Sequence, residues 1–133
     1  MVAPSPASGD VLVYGDTGWV AQAQDADLLT VVNDAANAVA LVLEDRQGFR
    51  SLTASSPVTV TVPAHSSVAF PIGSSVTLRR AGEGAVVIAP AGGVTLLYPD
   101  DVNPILRKVN SVVSLVKLAD NVWSLFGDLE ALV

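Results

Sequence analysis

The stretch Ser56-Pro57-Val58-Thr59-Val60-Thr61-Val62-Pro63 decides the reading of the fold. Val58, Val60 and Val62 alternate with Thr59 and Thr61. A period of two places the valines on one face of a strand and the hydroxyls on the other, and Pro63 ends the ladder because it lacks a backbone N–H. The valine face is expected to look into a core. The same pattern recurs on both sides, and strands are predicted over 11–14, 38–43, 68–70, 75–80, 85–89, 94–98, 105–108, 111–118 and 122–126. Turn chemistry separates them: Gly15-Asp16-Thr17-Gly18, Gly82-Glu83-Gly84, Gly92-Gly93, Pro99-Asp100-Asp101 and Ala119-Asp120-Asn121. Composition agrees, with 23 Val, 3 Ile and 7 Thr in 133 residues giving a quarter β-branched side chains.

Short strands at this spacing predict an all-β chain, an antiparallel β-sandwich or jelly-roll-like barrel. Its expected core includes Val58, Val60, Val62, Phe70, Val86, Ile88, Leu115 and Trp123. One stretch departs from the pattern. Between Asp25 and Ala40, the residues Leu28, Val32, Ala35, Ala36 and Val39 fall at helical spacing, which fits either one short helix or an irregular lead-in.

Charge is uneven along the chain. Residues 1–45 carry seven acidic and no basic groups; residues 46–133 carry six acidic and seven basic. Together with the Pro/Ser-rich start, this divides the chain into an N-terminal arm, residues 1–37, and a β-sandwich domain, residues 38–133. The arm reads either as an attachment segment or as a solvated lead-in. Leu28, Leu29, Val31 and Val32 stand close together in it, and Trp19 follows a glycine-containing turn. Each of the four aliphatic side chains is worth about 1.5–3 kcal/mol if fully buried, so an interface is their expected place; folding back under the sheet is the competing one.

A net charge of −6 argues against a nucleic-acid partner, since phosphate binding needs clustered Lys and Arg. No run of about 18 apolar residues suggests membrane insertion, and the start Met1-Val2-Ala3-Pro4 does not read as a secretory signal. Mean hydropathy is nevertheless +0.50, which points to subunit contact as an outlet for apolar surface. With no Cys and His65 as the single His, the ligand set of a transition-metal site is missing, and one His in the polar turn Pro63-Ala64-His65-Ser66-Ser67 gives no evidence of a catalytic triad and reads as a surface histidine. Asp100-Asp101 lacks the spaced pattern of a calcium loop. The glycine pairs precede strand-like runs rather than helices, so they read as hairpin turns and not as phosphate cradles. Arg79-Arg80 and Arg107-Lys108 fit ion pairs to an acidic surface or charged protection of strand ends. No catalytic, cofactor-binding or metal residues are therefore assigned.

From Val39 to Leu129 the order of features resembles a β domain of tailed-bacteriophage virion proteins, of the capsid decoration, head-fibre or tail-fibre type. The matching pieces are Leu41-Val42-Leu43-Glu44-Asp45, the Val58–Val62 alternation, Phe70-Pro71-Ile72-Gly73-Ser74, Gly82-Glu83-Gly84-Ala85-Val86-Val87-Ile88, Gly93-Val94-Thr95-Leu96 and the closing Ser114–Leu129. The opening Gly9–Val20, with Trp19 after its turn, is similar to a hairpin of phage fibre proteins. The resemblance implies a non-enzymatic virion structural protein without cofactors. A single domain looks more like a decoration or head-fibre protein on the capsid exterior than like a whole tail fibre. It further implies a homotrimer whose partners are the major capsid protein or other virion proteins. The alternative is a tail-fibre or baseplate component that meets the host surface, with a surface glycan as ligand.

Overall fold

The computed structural model describes residues 28–132. The strand expected over 11–14, the Gly15–Gly18 turn and Trp19 lie outside the described residues. Among the described residues eleven strands form, with a single 3-10 turn over Leu43–Asp45: β1 Thr30–Asp34, β2 Ala38–Ala40, β3 Gly48–Leu52, β4 Val58–Val62, β5 Ser75–Arg80, β6 Val86–Pro90, β7 Thr95–Leu97, β8 Val102–Leu106, β9 Val112–Ala119, β10 Val122–Gly127 and β11 Leu129–Ala131.

The chain is all-β, in two layers. One sheet has six strands in the order β1-β3-β5-β9-β10-β7, the other five in the order β11-β8-β6-β4-β2. Through β6 the chain changes sheet at every step, so a strand returns to its own sheet after a full coil and lies parallel to its predecessor. β1, β3 and β5 stack this way in one sheet; β2, β4 and β6 do so in the other. The purely antiparallel pairing expected from the sequence is thus corrected to a mixed one. Antiparallel contacts begin where β8 pairs with β6, β9 with β5, β10 with β9, and β11 with β8; β7 joins β10 in parallel.

Coiling also corrects the hairpin reading of the glycines. Gly82 and Gly84 carry the chain from β5 in one sheet to β6 in the other, and Gly92-Gly93 carry it from β6 to β7. A Cβ at Gly82 would collide with the carbonyl of Ala54, and one at Gly84 with that of Ser56, in the corresponding turn one coil earlier. These positions are small because successive turns stack backbone on backbone. The true hairpin is β9–β10, where Asn121 takes the left-handed conformation at φ 60°.

Residues 30–40 form β1 and β2, not the short helix that their spacing allowed. β1 falls inside the segment assigned to the arm, yet it pairs along its length with β3, from Thr30 opposite Gly48 to Asp34 opposite Leu52. The run 68–70 is a loop with Phe70 turned inward, not a strand. The strands β3 and β11, without a clear alternation of apolar side chains, have no counterpart in the sequence reading.

One core fills the space between the sheets. Val58, Val60, Val62, Phe70, Val86, Ile88, Leu115 and Trp123 are all at most 1% exposed, joined by Leu41, Leu52, Leu78, Leu106, Val113 and Leu125. Phe70 meets Trp123 edge-on, with ring centroids 5.1 Å apart and planes at 83°, the arrangement that brings a positive ring edge to a negative ring face.

Candidate functional site

Two places on the coil carry charged groups on the inward side of a sheet. At the first, β1 and β2 are the outermost strands of their sheets. Arg50 on β3 shares the inward face with Val76 and Leu78 of the neighbouring strand, as the pairing of Gly48 with Val76 and Arg50 with Leu78 requires. An inward arginine needs partners, and two carboxylates supply them. Nη1 donates to Asp34 Oδ2 of β1 and Nη2 to Asp45 Oδ1 of the 3-10 turn, each at 2.5 Å. The other Asp45 oxygen accepts from the Val42 N–H at 2.9 Å, holding the turn closed. Burial alone would lower the Arg50 pKa, but the hydrogen bonds and charges of Asp45 and Asp34 outweigh it and raise the value. The three residues form a charged lid over the open end of the core and fasten β1 to it.

Outside that lid lies the apolar segment singled out in the sequence. Leu28 is 69% exposed, Leu29 59%, Val31 63% and Val32 37%. β1 thus extends the sheet and leaves these side chains in solvent, in place of the fold-back that would have covered them.

On the side of the sandwich where the 3-10 turn lies, the β4–β5 loop, residues 63–74, covers the next stretch of the core. Its backbone docks on β9: the Gly73 N–H donates to the Lys117 carbonyl at 2.8 Å and the Lys117 N–H to the Ser74 carbonyl at 2.9 Å. Lys117 lies on the inward face of β9 with Val113 and Leu115, opposite Trp123, and is 1% exposed. Its Nζ lies 2.6 Å from His65 Nδ1, and the His65 N–H donates to Asn121 Oδ1 at 2.8 Å. Asp120 Oδ1 stands 3.6 Å from the same ring nitrogen. An amine beside an imidazole is a nucleophile–base pair in principle, but no substrate reaches an amine covered this completely. Here the pair ties the closing loop to the β9–β10 hairpin.

A third feature is an open groove of about 590 Å³ between the 3-10 turn and the same loop, lined by Leu43, Glu44, Arg46 and Gln47 on one side and Pro71, Ile72, Gly73 and Ser74 on the other. Among the described residues no three His, Asp or Glu side chains converge as a metal site would require. On the far side, Arg107 pairs with Asp128 at 2.7 and 3.0 Å and Ser111 Oγ donates to the same carboxylate at 2.7 Å, which together hold the Asp128 pKa below the usual carboxylate value. This network pins the β8–β9 turn to the β10–β11 corner.

Sequence reasoning marked Leu28–Val32 but missed Arg50, Asp34, Asp45 and Lys117. A signal for Lys117 was present: it continues the alternation Val113, Leu115, Lys117. Arg50 gave none, because nothing in Gly48-Phe49-Arg50-Ser51-Leu52 shows that the charge points inward. Compared with family models, curated proteins and solved structures, the chain finds no match in any of the three.

Proposed function

We propose that this chain is a non-enzymatic structural protein of a tailed-bacteriophage virion, a decoration or head-fibre protein bound as a homo-oligomer, a trimer, to the outer surface of the head. The observation that carries the reading is the position of Leu28, Leu29 and Val31: large aliphatic side chains left in solvent at the start of an outermost strand, Leu28 and Leu29 just before β1 and Val31 within it, with β1 fastened by the Asp34–Arg50–Asp45 lid. A protein that works alone has little reason to fix such residues in water, whereas one that binds a protein lattice gains from a rigid apolar edge. The resemblance of Val39–Leu129 to phage virion β domains supplies the class of partner. Three linked copies would multiply weak contacts with a symmetric capsid site, provided all three engage together.

The experiment is binding of the purified protein to purified phage heads and to purified tails, followed by co-sedimentation. Binding to heads, weakened at least tenfold in a Leu28→Asp/Leu29→Asp double variant, is the expected result. Binding to tails alone would move the protein to the tail-fibre or baseplate alternative, and binding to neither would end the virion reading.

A further inference from the structure

The outer face of the six-stranded sheet has a distinct surface. One register row crosses it without a break: Val31 opposite Phe49, Phe49 opposite Thr77, Thr77 opposite Ser114 and Ser114 opposite Phe126. The ends of the row, Val31 and Phe126, are 63% and 50% exposed, and its middle is two small hydroxyls that bond each other, Thr77 Oγ1 to Ser114 Oγ at 3.0 Å. Neighbouring outward positions add Leu97, Val112 and Leu118, all exposed. Arg79 is the one charged side chain at the outward strand positions of this sheet; its guanidinium is held down by Ser51 Oγ at 3.2 Å and Asn110 Oδ1 at 2.8 Å. The outer face of the other sheet is different. Ala38, Ala40, Thr59 and Thr61 line one half of it, Val87 and Ile105 pair with each other half-buried in the other half, and no large exposed hydrophobic residue lies on β2, β4, β6 or β8.

We infer that the outer face of the six-stranded sheet is the surface through which this chain packs on a second copy of itself. Charge argues for that occupant. A chain of net charge −6 repels its own copies, and this face lets two copies meet without bringing like charges together. A strongly charged partner would find only the occupied Arg79 to pair with. Size agrees as well: six strands about 4.8 Å apart and about five residues long cover roughly 500 Å² in projection, the same order as the ~800 Å² per partner of a stable interface. The low centre of Thr77 and Ser114 between the taller Phe49 and Phe126 allows neighbouring sheets to approach closely. The face is continuous with Leu28 and Leu29 through β1, so contact would extend the apolar edge described above. About the threefold axis of the homotrimer proposed above, this face of each copy turns toward its neighbours, so the inference rests on that reading and names its surface; its test uses the purified protein alone, so that its failure leaves the virion assignment standing.

The experiment is the mass of the full chain in solution, by light scattering and native mass spectrometry at about 50 µM, for the wild type and three lysine variants. Val31→Lys and Phe126→Lys change exposed ends of the row and are expected to fold, with circular dichroism spectra unchanged; Ala40→Lys places the same charge on the other sheet. The wild type and Ala40→Lys should run at a multiple of 13.7 kDa, and each face variant should self-associate at least tenfold more weakly. As a second approach, a single cysteine in this cysteine-free chain, Phe126→Cys, should carry a thiol-reactive probe that is protected in the oligomer and labelled on dilution. A monomeric wild type overturns the inference, as does an oligomer that both face variants leave intact or that Ala40→Lys disrupts equally. A Phe126→Cys thiol that labels equally fast at both concentrations overturns it too.

Discussion

Trp123 holds the position on which most of the second half of the core depends. It lies on β10 with its ring against Phe70 and its backbone opposite Lys117. Trp123→Ala removes the largest fully buried side chain and should cost about 3–5 kcal/mol, read from urea unfolding of the variant against the wild type. Lys117 separates two kinds of contribution at a neighbouring site. Lys117→Met keeps the length and apolar stem but removes a buried amine whose partner among the described residues is His65, and it should leave stability within about 1 kcal/mol or raise it. Lys117→Ala removes the stem as well and should cost about 2–4 kcal/mol through the cavity left behind. Equal losses in the two variants would show that the Lys117–His65 contact, and not packing, holds the loop. At this scale the two-residue period is the legible signal: it placed Val58, Val60 and Val62 on one face, and it applies to Lys117 no less than to Leu115 two residues earlier.

Among the elements, β1 and the β10–β11 corner depend on charge. Arg50→Ala would leave Asp45 buried without its cation while removing the tie to Asp34, and should cost about 3–5 kcal/mol, with amide exchange of β1 rising first. The Arg107–Asp128 pair gives a pH dependence. Because the folded Asp128 pKa lies below its ordinary value, the pair's contribution is complete above the usual carboxylate range and fades as pH falls through the lowered value. Both groups are exposed, so the effect is small. The melting temperature of wild type and Arg107→Ala should differ near neutral pH and converge in strong acid, and a gap that persists at the lowest pH would contradict the assignment. Elements with strict alternation, β4, β5, β9 and β10, were legible almost to their ends. β1 was not, because the spacing of Leu28, Val32 and Ala35 satisfies a helical period while the edge of β3 offers Thr30–Asp34, Val32 among them, a parallel ladder, a contact between residues 18 apart that no local pattern contains. β3 was hidden for the same reason: its hydrogen bonds run to β1 and β5, and its inward arginine breaks the apolar pattern.

At the scale of the whole molecule, the described residues form a short coil between two sheets, covered along one side by the 63–74 loop and fastened at the β1–β2 end by the Asp34–Arg50–Asp45 lid. Two layers and one core could be read from strand length, turn spacing and the β-branched composition. Parallel stacking could not, since alternation along a strand says which face is buried and nothing about which strand lies beside it. The glycines of the inter-sheet turns show this coil most directly. Gly84→Ala would drive a methyl group into the Ser56 carbonyl, and it should lower the melting temperature by several degrees, an effect that a freely projecting hairpin turn would not show. A rigid apolar edge at one end and a nearly charge-free face beside it are the features from which the proposed role follows. The most direct measurement is electron microscopy of virions decorated with gold-labelled protein. The account predicts label over the outer surface of the head, lost in the Leu28→Asp/Leu29→Asp variant; label confined to the tail, or no label at all, would contradict it.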